Sequence, residues 1–239
     1  MTPIRYGVFA IVMLAVIATA HADQPSTTSA AHTMTEAGMV DIRDLVPDID
    51  ENMHYAGNDN FVGSPIDGYG APRCYLLRPA AEALAKAELS LRAQHRRLLI
   101  WDCYRPARAV RHFVRWAADL DDQRTKAQHY PHLDKRVLLG DYIAPISGHS
   151  RGATVDLTLQ QCDADDRHCQ PLDMGTDFDF FDPKAHTDSL LASAAQREHR
   201  HLLRAAMERA GFRNYTLEWW HYTLMPEPSP NIIFDVPIR

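Results

Sequence analysis

The spacing of apolar residues changes along the chain from helical to alternating, and this pattern predicts the secondary structure. Apolar residues recur every three or four positions in the segments that we predict to be helices: 79–94, 107–118 and 198–210. The last of these is followed by Gly211, a residue type that commonly ends a helix. Short apolar or alternating runs predict strands at 97–101, 153–159 and 216–224.

The order of these predicted elements indicates the fold class. Helices and strands are mixed without the regular strand–helix–strand alternation of a parallel α/β protein, which favours an α+β fold. The sequence contains neither an internal repeat nor a second linker. We therefore predict a single domain over residues 39–239, with a central, mainly antiparallel sheet flanked by helices.

The N-terminal 22 residues have the pattern of a secretory signal peptide. Arg5 is the only charged residue there, an apolar run follows over residues 6–20, and Ala20-His21-Ala22 matches a cleavage site. The run is shorter than the ~20 residues of a comfortable membrane span, with an uncleaved N-terminal anchor as the alternative. We expect export to the periplasm without stable membrane insertion after cleavage, and a flexible leader rich in Ser, Thr and Ala over residues 23–38.

Composition and charge narrow the class of protein further. Hydrophobic residues make up 46% and charged residues 23% of the chain, which excludes a wholly disordered chain and a polytopic membrane protein. The formal net charge of −6 provides no basic surface for nucleic acid, so we expect no nucleic-acid partner. The 13 histidines are more than we would expect, and they direct attention to metal or proton chemistry.

The predicted compartment determines whether the four cysteines are able to form disulfides. In an oxidising space Cys74, Cys103, Cys162 and Cys169 are able to form disulfides, and four cysteines allow three pairings. Cys162 and Cys169 flank the polar stretch 163–168, so a bridge between them would close a short loop between two strands. We favour that pairing, which leaves Cys74 with Cys103. A zinc site is the alternative, although no C-x-x-C spacing occurs.

Two separate segments contain the residues best suited to metal chemistry. His149 precedes a predicted strand and Asp156 lies within it, so a chain reversal at Gly152 could bring their side chains together. In the second segment, a regular strand would direct Glu218 and His221 to opposite faces unless a bulge or a strand end intervenes. Two histidines and a carboxylate make a three-ligand zinc set with an open fourth position, where Glu218 could take a proton from water. From spacing alone, an ordinary surface or hydrogen-bonded histidine is the commoner case at each of these two positions.

These two segments resemble the motifs of the zinc D-alanyl-D-alanine dipeptidases, the VanX group, within the larger D,D-peptidase family that shares a fold with the hedgehog signalling domain. The segment 147–156 matches S-x-H-x-x-G-x-x-x-D, and residues 218–221 read E-W-W-H. Further segments similar to the family follow in the same order: D-N-F-V-G at 59–63, D-G-Y at 67–69, W-D-C-Y-R-P at 101–106, M-G-T-D-F-D at 174–179 and F-D at 181–182. The resemblance covers the chain from about residue 41 to the end and implies a hedgehog/D,D-peptidase-like fold.

The resemblance implies a metal centre at the matching positions. It implies His149, Asp156 and His221 as ligands of one zinc ion, and Glu218 as the catalytic base that activates water. Cys103 departs from the family pattern, since some relatives have Gly there.

The resemblance also implies how the substrate is bound. Arg105 would stabilise the oxyanion that forms at the scissile carbonyl. Asp102 could orient Arg105, or it could be an ordinary carboxylate at a strand end. Asp179 would hold the free α-ammonium of the substrate, with Tyr55 and Ser147 lining the pocket. Such a carboxylate accounts for dipeptide selectivity, because a longer peptide has no ammonium to place there and would leave the charge unpaired.

The implied function is zinc-dependent hydrolysis of D-Ala-D-Ala to two D-alanines in the periplasm. An exported enzyme does not reach the cytoplasmic D-Ala-D-Ala pool, which favours recycling of cell-wall fragments or use of D-alanine over glycopeptide resistance. Two rival functions are a D,D-carboxypeptidase that trims peptidoglycan stem peptides and a non-catalytic, zinc-stabilised binding protein. Asp179 counts against the first rival, and the presence of both Glu218 and Arg105 counts against the second.

Overall fold

The computed structural model describes residues 26–140 and 142–239, and the predicted signal peptide at 1–22 lies outside these residues. The described residues form one mixed α/β domain. Its α-helices are α1 (Arg78–Arg92), α2 (Ala107–Ala118), α3 (Lys126–His129) and α4 (Ala194–Arg209). Its strands are β1 (Thr27–Thr28), β2 (Met39–Asp41), β3 (Asp50–Glu51), β4 (Tyr75–Leu77), β5 (Arg96–Asp102), β6 (Thr154–Gln161), β7 (Gln170–Pro171), β8 (Phe212–Asn214), β9 (His221–Leu224) and β10 (Ile232–Ile233).

A six-stranded sheet forms the centre of the fold. Five strands follow the order β3-β5-β6-β9-β8, and β7 pairs with the end of β6. β3 pairs with β5 in parallel, whereas the remaining pairs of this sheet are antiparallel. The sheet is therefore mixed, and our prediction of a mainly antiparallel sheet is corrected at this edge. The physical reason is the long connection between β3 and β5, which contains α1 and returns the chain in the same direction.

The helices cover one face of this sheet and explain why its central strand is so deeply buried. α1 packs against β5, α4 packs against β6 and β8, and the two helices contact each other. In β6 every residue except the last is buried, although its alternating sequence is also typical of a half-exposed strand. Several of the functional side chains described below lie in the segments between the regular elements, among them Arg105, Asp179 and Glu218.

Local signals account for most of the element boundaries. α1, α2 and β5 begin and end within two residues of the predicted segments. α4 begins four residues before the predicted Glu198, because a capping box starts it at Ser193. The Ser193 Oγ accepts a hydrogen bond from Gln196 N at 3.2 Å, and Gln196 Oε1 accepts one from Ser193 N at 2.9 Å. The strand predicted at 216–224 forms only from His221 onward, because the residues before it form turns.

Part of the predicted leader is among the described residues. There, β1 pairs in parallel with β10, and Ala37 is buried. Over residues 26–140 and 142–239, each helix is too short or too polar to cross a lipid bilayer.

Candidate active site

Three neighbouring strands bring charged side chains together at one end of the sheet. Asp156 of β6 lies opposite His221 of β9 and, on its other side, opposite Asp102 of β5. A β-bulge at Trp101 produces the second pairing, because β5 advances by two residues from Ile100 while β6 advances by one. The register of the sheet thus places Asp156 of the segment 147–156 next to His221 of the segment 218–221.

His149 reaches the same end of the sheet from a short 3-10 turn, Gly148–Arg151, just before β6. The Ser147 Oγ caps this turn by accepting a hydrogen bond from His149 N at 3.2 Å. The turn ends at Gly152, whose φ of +75° lies in the left-handed region that favours glycine. A Cβ at this position would lie 2.8 Å from Met39 Cε. The chain reversal predicted at Gly152 is therefore confirmed.

His149, Asp156 and His221 form a compact cluster of possible metal ligands. His149 Nε2 lies 3.2 Å from His221 Nδ1 and 3.1 Å from Asp156 Oδ2. His221 Nδ1 lies 3.0 Å from Asp156 Oδ1, yet this buried oxygen has no hydrogen-bond partner among residues 26–140 and 142–239. A short separation without hydrogen-bond geometry is expected when two ligand atoms are directed at a common point between them.

The donor types and spacing of this cluster fit a zinc ion. Zinc binds imidazole nitrogen and carboxylate oxygen at about 2.0–2.2 Å in a tetrahedral arrangement, which places neighbouring ligand atoms about 3.3 Å apart. The three separations in the cluster are close to that value. The second nitrogen of His149, Nδ1, lies 2.7 Å from the carbonyl oxygen of Cys103. Because a carbonyl only accepts, Nδ1 carries the proton and Nε2 presents its lone pair to the cluster.

Glu218 lies beside the cluster, in the turn that precedes β9. Its Oε2 is 3.5 Å from His221 Nδ1, and its carbonyl accepts a hydrogen bond from His221 N at 3.2 Å. Because β9 begins only at His221, Glu218 lies in the preceding turn and not in a regular strand. Glu218 and His221 are therefore able to face one site although they are three positions apart. Burial away from water raises the pKa of Glu218 to about 7, against the opposing effect of His221. A carboxyl group with this pKa is able both to accept and to return a proton near neutral pH.

Arg105 is held next to the cluster by a buried carboxylate. Its Nε donates to Asp102 Oδ2 at 2.9 Å, and the Tyr69 hydroxyl donates to Asp102 Oδ1 at 2.6 Å. The guanidinium lies over the Tyr55 ring, 5.0 Å from its centroid. Arg105 Nη2 is 3.5 Å from Asp156 Oδ2, so the cation is adjacent to a possible metal ligand. Of the two roles considered for Asp102, the structure therefore supports orienting Arg105.

Asp179 is a buried carboxylate in an uncommon backbone conformation. Its φ of +54° lies in the left-handed region, which few residues other than glycine adopt. The Tyr55 hydroxyl donates to Asp179 Oδ2 at 2.7 Å, and His129 Nδ1 lies 3.1 Å from the Asp179 carbonyl oxygen. Burial raises the pKa of Asp179 well above its ordinary value. A cation bound beside it would favour the charged form.

One pocket of about 360 Å³ unites the side chains predicted for metal binding, catalysis and substrate binding. It is lined by Tyr55, Arg105, Ser147, His149, Asp156, Asp179, Glu218 and His221. Its volume is at the small end of the range for small-molecule sites, ~300–1,000 Å³.

Sequence reasoning missed several aromatic residues that line the same pocket, among them Phe113, Tyr142, Phe181 and Tyr215. Phe181 belongs to the F-D segment already noted, so a signal for it was present. Phe113 lies within a predicted helix and has the pattern of an ordinary core residue. Only the packing of α2 on the pocket reveals its position.

Two histidines and an aspartate around a possible metal position, with a carboxyl group of near-neutral pKa and a fixed arginine, define a metal-dependent hydrolase centre. Comparison with known proteins identifies the family. The model of peptidase family M15, D-ala-D-ala dipeptidase, matches residues 35–239, and the chain belongs to this family.

Relatives from several bacteria cover most of the chain. It is 40% identical to the D-alanyl-D-alanine dipeptidase of Enterococcus faecium, over 85% of this chain and 100% of that protein. It is 42% identical to that of Streptomyces coelicolor, over 82% of this chain and 96% of that protein. Among solved structures it is similar to the vancomycin resistance D,D-pentapeptidase VanY in complex with Zn(II), at a TM-score of 0.38 and 14% identity, over 69% of this chain and 80% of that chain.

Proposed function

We propose that this protein hydrolyses free D-Ala-D-Ala to two D-alanines, with one zinc ion bound by His149, Asp156 and His221. The observation that carries the proposal is the convergence of these three ligands with Glu218 in one small pocket. Family membership supports the substrate, because relatives at 40% and 42% identity are D-alanyl-D-alanine dipeptidases.

The proposed mechanism assigns the proton transfers to Glu218 and the charge stabilisation to Arg105. The chemistry that bound zinc supplies is Lewis acidity, which polarises a carbonyl and strengthens a water nucleophile. Glu218 accepts the proton of the attacking water and returns it to the leaving amine. Arg105 stabilises the negative charge that develops on the carbonyl oxygen, and Asp102 holds the guanidinium in place beforehand.

The proposed selectivity for dipeptides rests on Asp179. Its carboxylate is buried and is oriented by the Tyr55 hydroxyl at 2.7 Å, so it is suited to bind the α-ammonium of a short substrate. An N-acylated peptide brings no positive charge to this position and leaves the carboxylate unpaired. Ser147 lines the same pocket while its hydroxyl caps the turn that carries His149.

The proposed compartment is the periplasm, after removal of the predicted signal peptide. Two disulfides, Cys74–Cys103 and Cys162–Cys169, support folding in an oxidising compartment. An exported dipeptidase would act on D-Ala-D-Ala released from the cell wall, in fragment recycling or in the use of D-alanine.

A substrate panel with and without metal tests this function. Purified protein is assayed on D-Ala-D-Ala and on N-acetyl-D-Ala-D-Ala, loaded with zinc or treated with a chelator, and its zinc content is measured. We expect one zinc per chain, D-alanine release that a chelator abolishes, and at least about 10²-fold preference for the free dipeptide.

Each rival function predicts a different outcome of this assay. Preference for the acetylated substrate would indicate a D,D-carboxypeptidase. Zinc binding without turnover of either substrate would indicate a non-catalytic binding protein. Full activity after complete removal of the metal would contradict the zinc mechanism.

A further inference from the structure

The disulfide Cys74–Cys103 lies next to the proposed metal centre, because the main chain of Cys103 contacts the proposed ligand His149. Cys74 precedes β4, Cys103 follows β5, and their bridge joins the two segments. Both side chains are fully buried, at 0% exposure. In the sequence this pair is predicted only as the remainder once Cys162 is paired with Cys169.

The main chain at Cys103 contacts two parts of the site. Its carbonyl oxygen is the acceptor for His149 Nδ1 at 2.7 Å, the contact that orients the imidazole. The preceding residue is Asp102, whose carboxylate holds Arg105 at 2.9 Å. A shift of the backbone at Cys103 would therefore displace the acceptor of His149 and the support of Arg105 together.

The other partner, Cys74, belongs to a well-anchored segment. Its carbonyl accepts a hydrogen bond from Ile42 N at 3.0 Å, and in the adjoining β4 the Tyr75 carbonyl accepts one from Tyr104 N at 2.9 Å. Leu77 N, at the end of β4, donates to the carbonyl of Gly152 at 2.8 Å. β4 thus contacts both the segment that supplies the acceptor for His149 and the turn that carries His149.

We propose that the Cys74–Cys103 bridge is a positioning element for metal binding. By tying Cys103 to β4, it keeps the Cys103 carbonyl where His149 Nδ1 needs it, so that Nε2 faces the metal. This inference rests on the zinc site proposed above. The bridge acts through His149 and does not itself touch substrate or metal.

The second disulfide provides an internal control. Cys162–Cys169 spans a sequence separation of 7 and closes the loop between β6 and β7. Cys162 is six positions beyond Asp156, which corresponds to about 20 Å along an extended strand. Neither cysteine lines the active-site pocket. Loss of this bridge should affect stability without changing the metal centre.

The effect of losing the Cys74–Cys103 bridge follows from packing. Two unbonded sulfur atoms need more separation than a covalent pair, and both side chains lie in the protein interior, which is generally close-packed. The displacement therefore passes to the backbone at Cys103. Losing a hydrogen-bond partner of a metal-bound histidine typically reduces metal affinity by roughly 10–100-fold.

The test uses the C162A/C169A chain, in which only the Cys74–Cys103 bridge is able to form. Its oxidised and reduced forms then differ in that bridge alone. Dithiothreitol reduces the disulfide to two thiols, supplying two electrons and two protons while it becomes a cyclic disulfide itself. Thiol titration in denaturant verifies each form. Zinc affinity is measured by competition with a chromophoric chelator, and the visible absorption spectrum of the Co²⁺-substituted protein reports ligand geometry.

We expect the reduced form to bind zinc about 10-fold or more weakly than the oxidised form, with a changed Co²⁺ spectrum. Oxidised C162A/C169A should match the native protein in both. Equal affinity and identical spectra in the two forms would overturn the inference. A reduced form that is unfolded by circular dichroism would overturn it too, because the bridge would then serve the whole fold. If the native protein binds no zinc, the proposed function fails first and the positioning role fails with it.

Discussion

Two concave regions share the segment 177–179, and only one of them has the properties of a catalytic site. Asp179 lines the active-site pocket, whereas Asp177 and Phe178 line a neighbouring groove. The groove is the larger of the two, at about 650 Å³ against about 360 Å³. Its floor includes Trp101, which stacks on Phe178 with 5.1 Å between ring centroids. Volume and aromatic lining therefore do not distinguish the catalytic region.

The two regions differ in how their carboxylates are placed. Asp177 and Asp173 of the groove are exposed, and a hydrogen bond from Gln196 lowers the pKa of Asp173. In the pocket, burial raises the pKa of Asp179 and Glu218 instead. A carboxyl group whose charged form is disfavoured by burial is suited to bind a substrate cation, as proposed for Asp179, or to take up a proton during the reaction, as proposed for Glu218. Burial and convergence, rather than size, separate the site from the groove.

Replacing the proposed base should have the largest effect. In Glu218→Gln the amide is nearly isosteric but unable to accept the proton of water, so we expect kcat to fall about 10²–10⁴-fold. Zinc content, measured by elemental analysis, should stay at one ion per chain. His221→Ala is the contrasting variant, because it removes a ligand and should lose the metal. Near-normal turnover by Glu218→Gln would contradict the assignment.

Separate replacements of Asp179, which lines the pocket, and Asp177, which lines the groove, test whether only the pocket takes part in catalysis. Asp179→Asn removes the charge proposed to bind the substrate ammonium, so kcat/KM for D-Ala-D-Ala should fall about 10–100-fold. The ratio of kcat/KM for D-Ala-D-Ala to kcat/KM for N-acetyl-D-Ala-D-Ala should decrease at the same time. Asp177→Asn makes the same chemical change in the groove and should leave kcat/KM within about twofold. Equal losses in both variants would remove the functional distinction between the regions.

A polar contact in the groove should matter for stability alone. Trp219 is 1% exposed, and its Nε1 donates to Thr176 Oγ1 at 2.8 Å. Thr176→Val leaves this donor unpaired, which should lower the free energy of unfolding by about 1–3 kcal/mol in a denaturant titration. Thr176→Ser keeps the acceptor and serves as the control. A large fall in kcat/KM for Thr176→Val would show that the groove takes part in catalysis.

The sequence was informative wherever a signal is local. Periodic apolar residues predicted α1, α2 and β5 closely, and the turn at Gly152 followed from one glycine in the right place. β3 was not predicted, because a strand of two residues has no measurable period. Its parallel pairing with β5 could not be read from the sequence either. Motifs similar to a known family identified eight of the side chains that line the pocket, and their individual roles stay predictions.

Residue types, spacing and, above all, the motifs similar to a known family were thus enough to predict the candidate ligands, Glu218 as the base and the class of reaction. Tertiary structure alone decided that Asp156 stands between Asp102 and His221, because strand register depends on pairing between distant segments. It alone placed the Cys103 carbonyl on His149 Nδ1. A main-chain acceptor is the same in every residue type, so no sequence pattern distinguishes the one that orients a metal ligand.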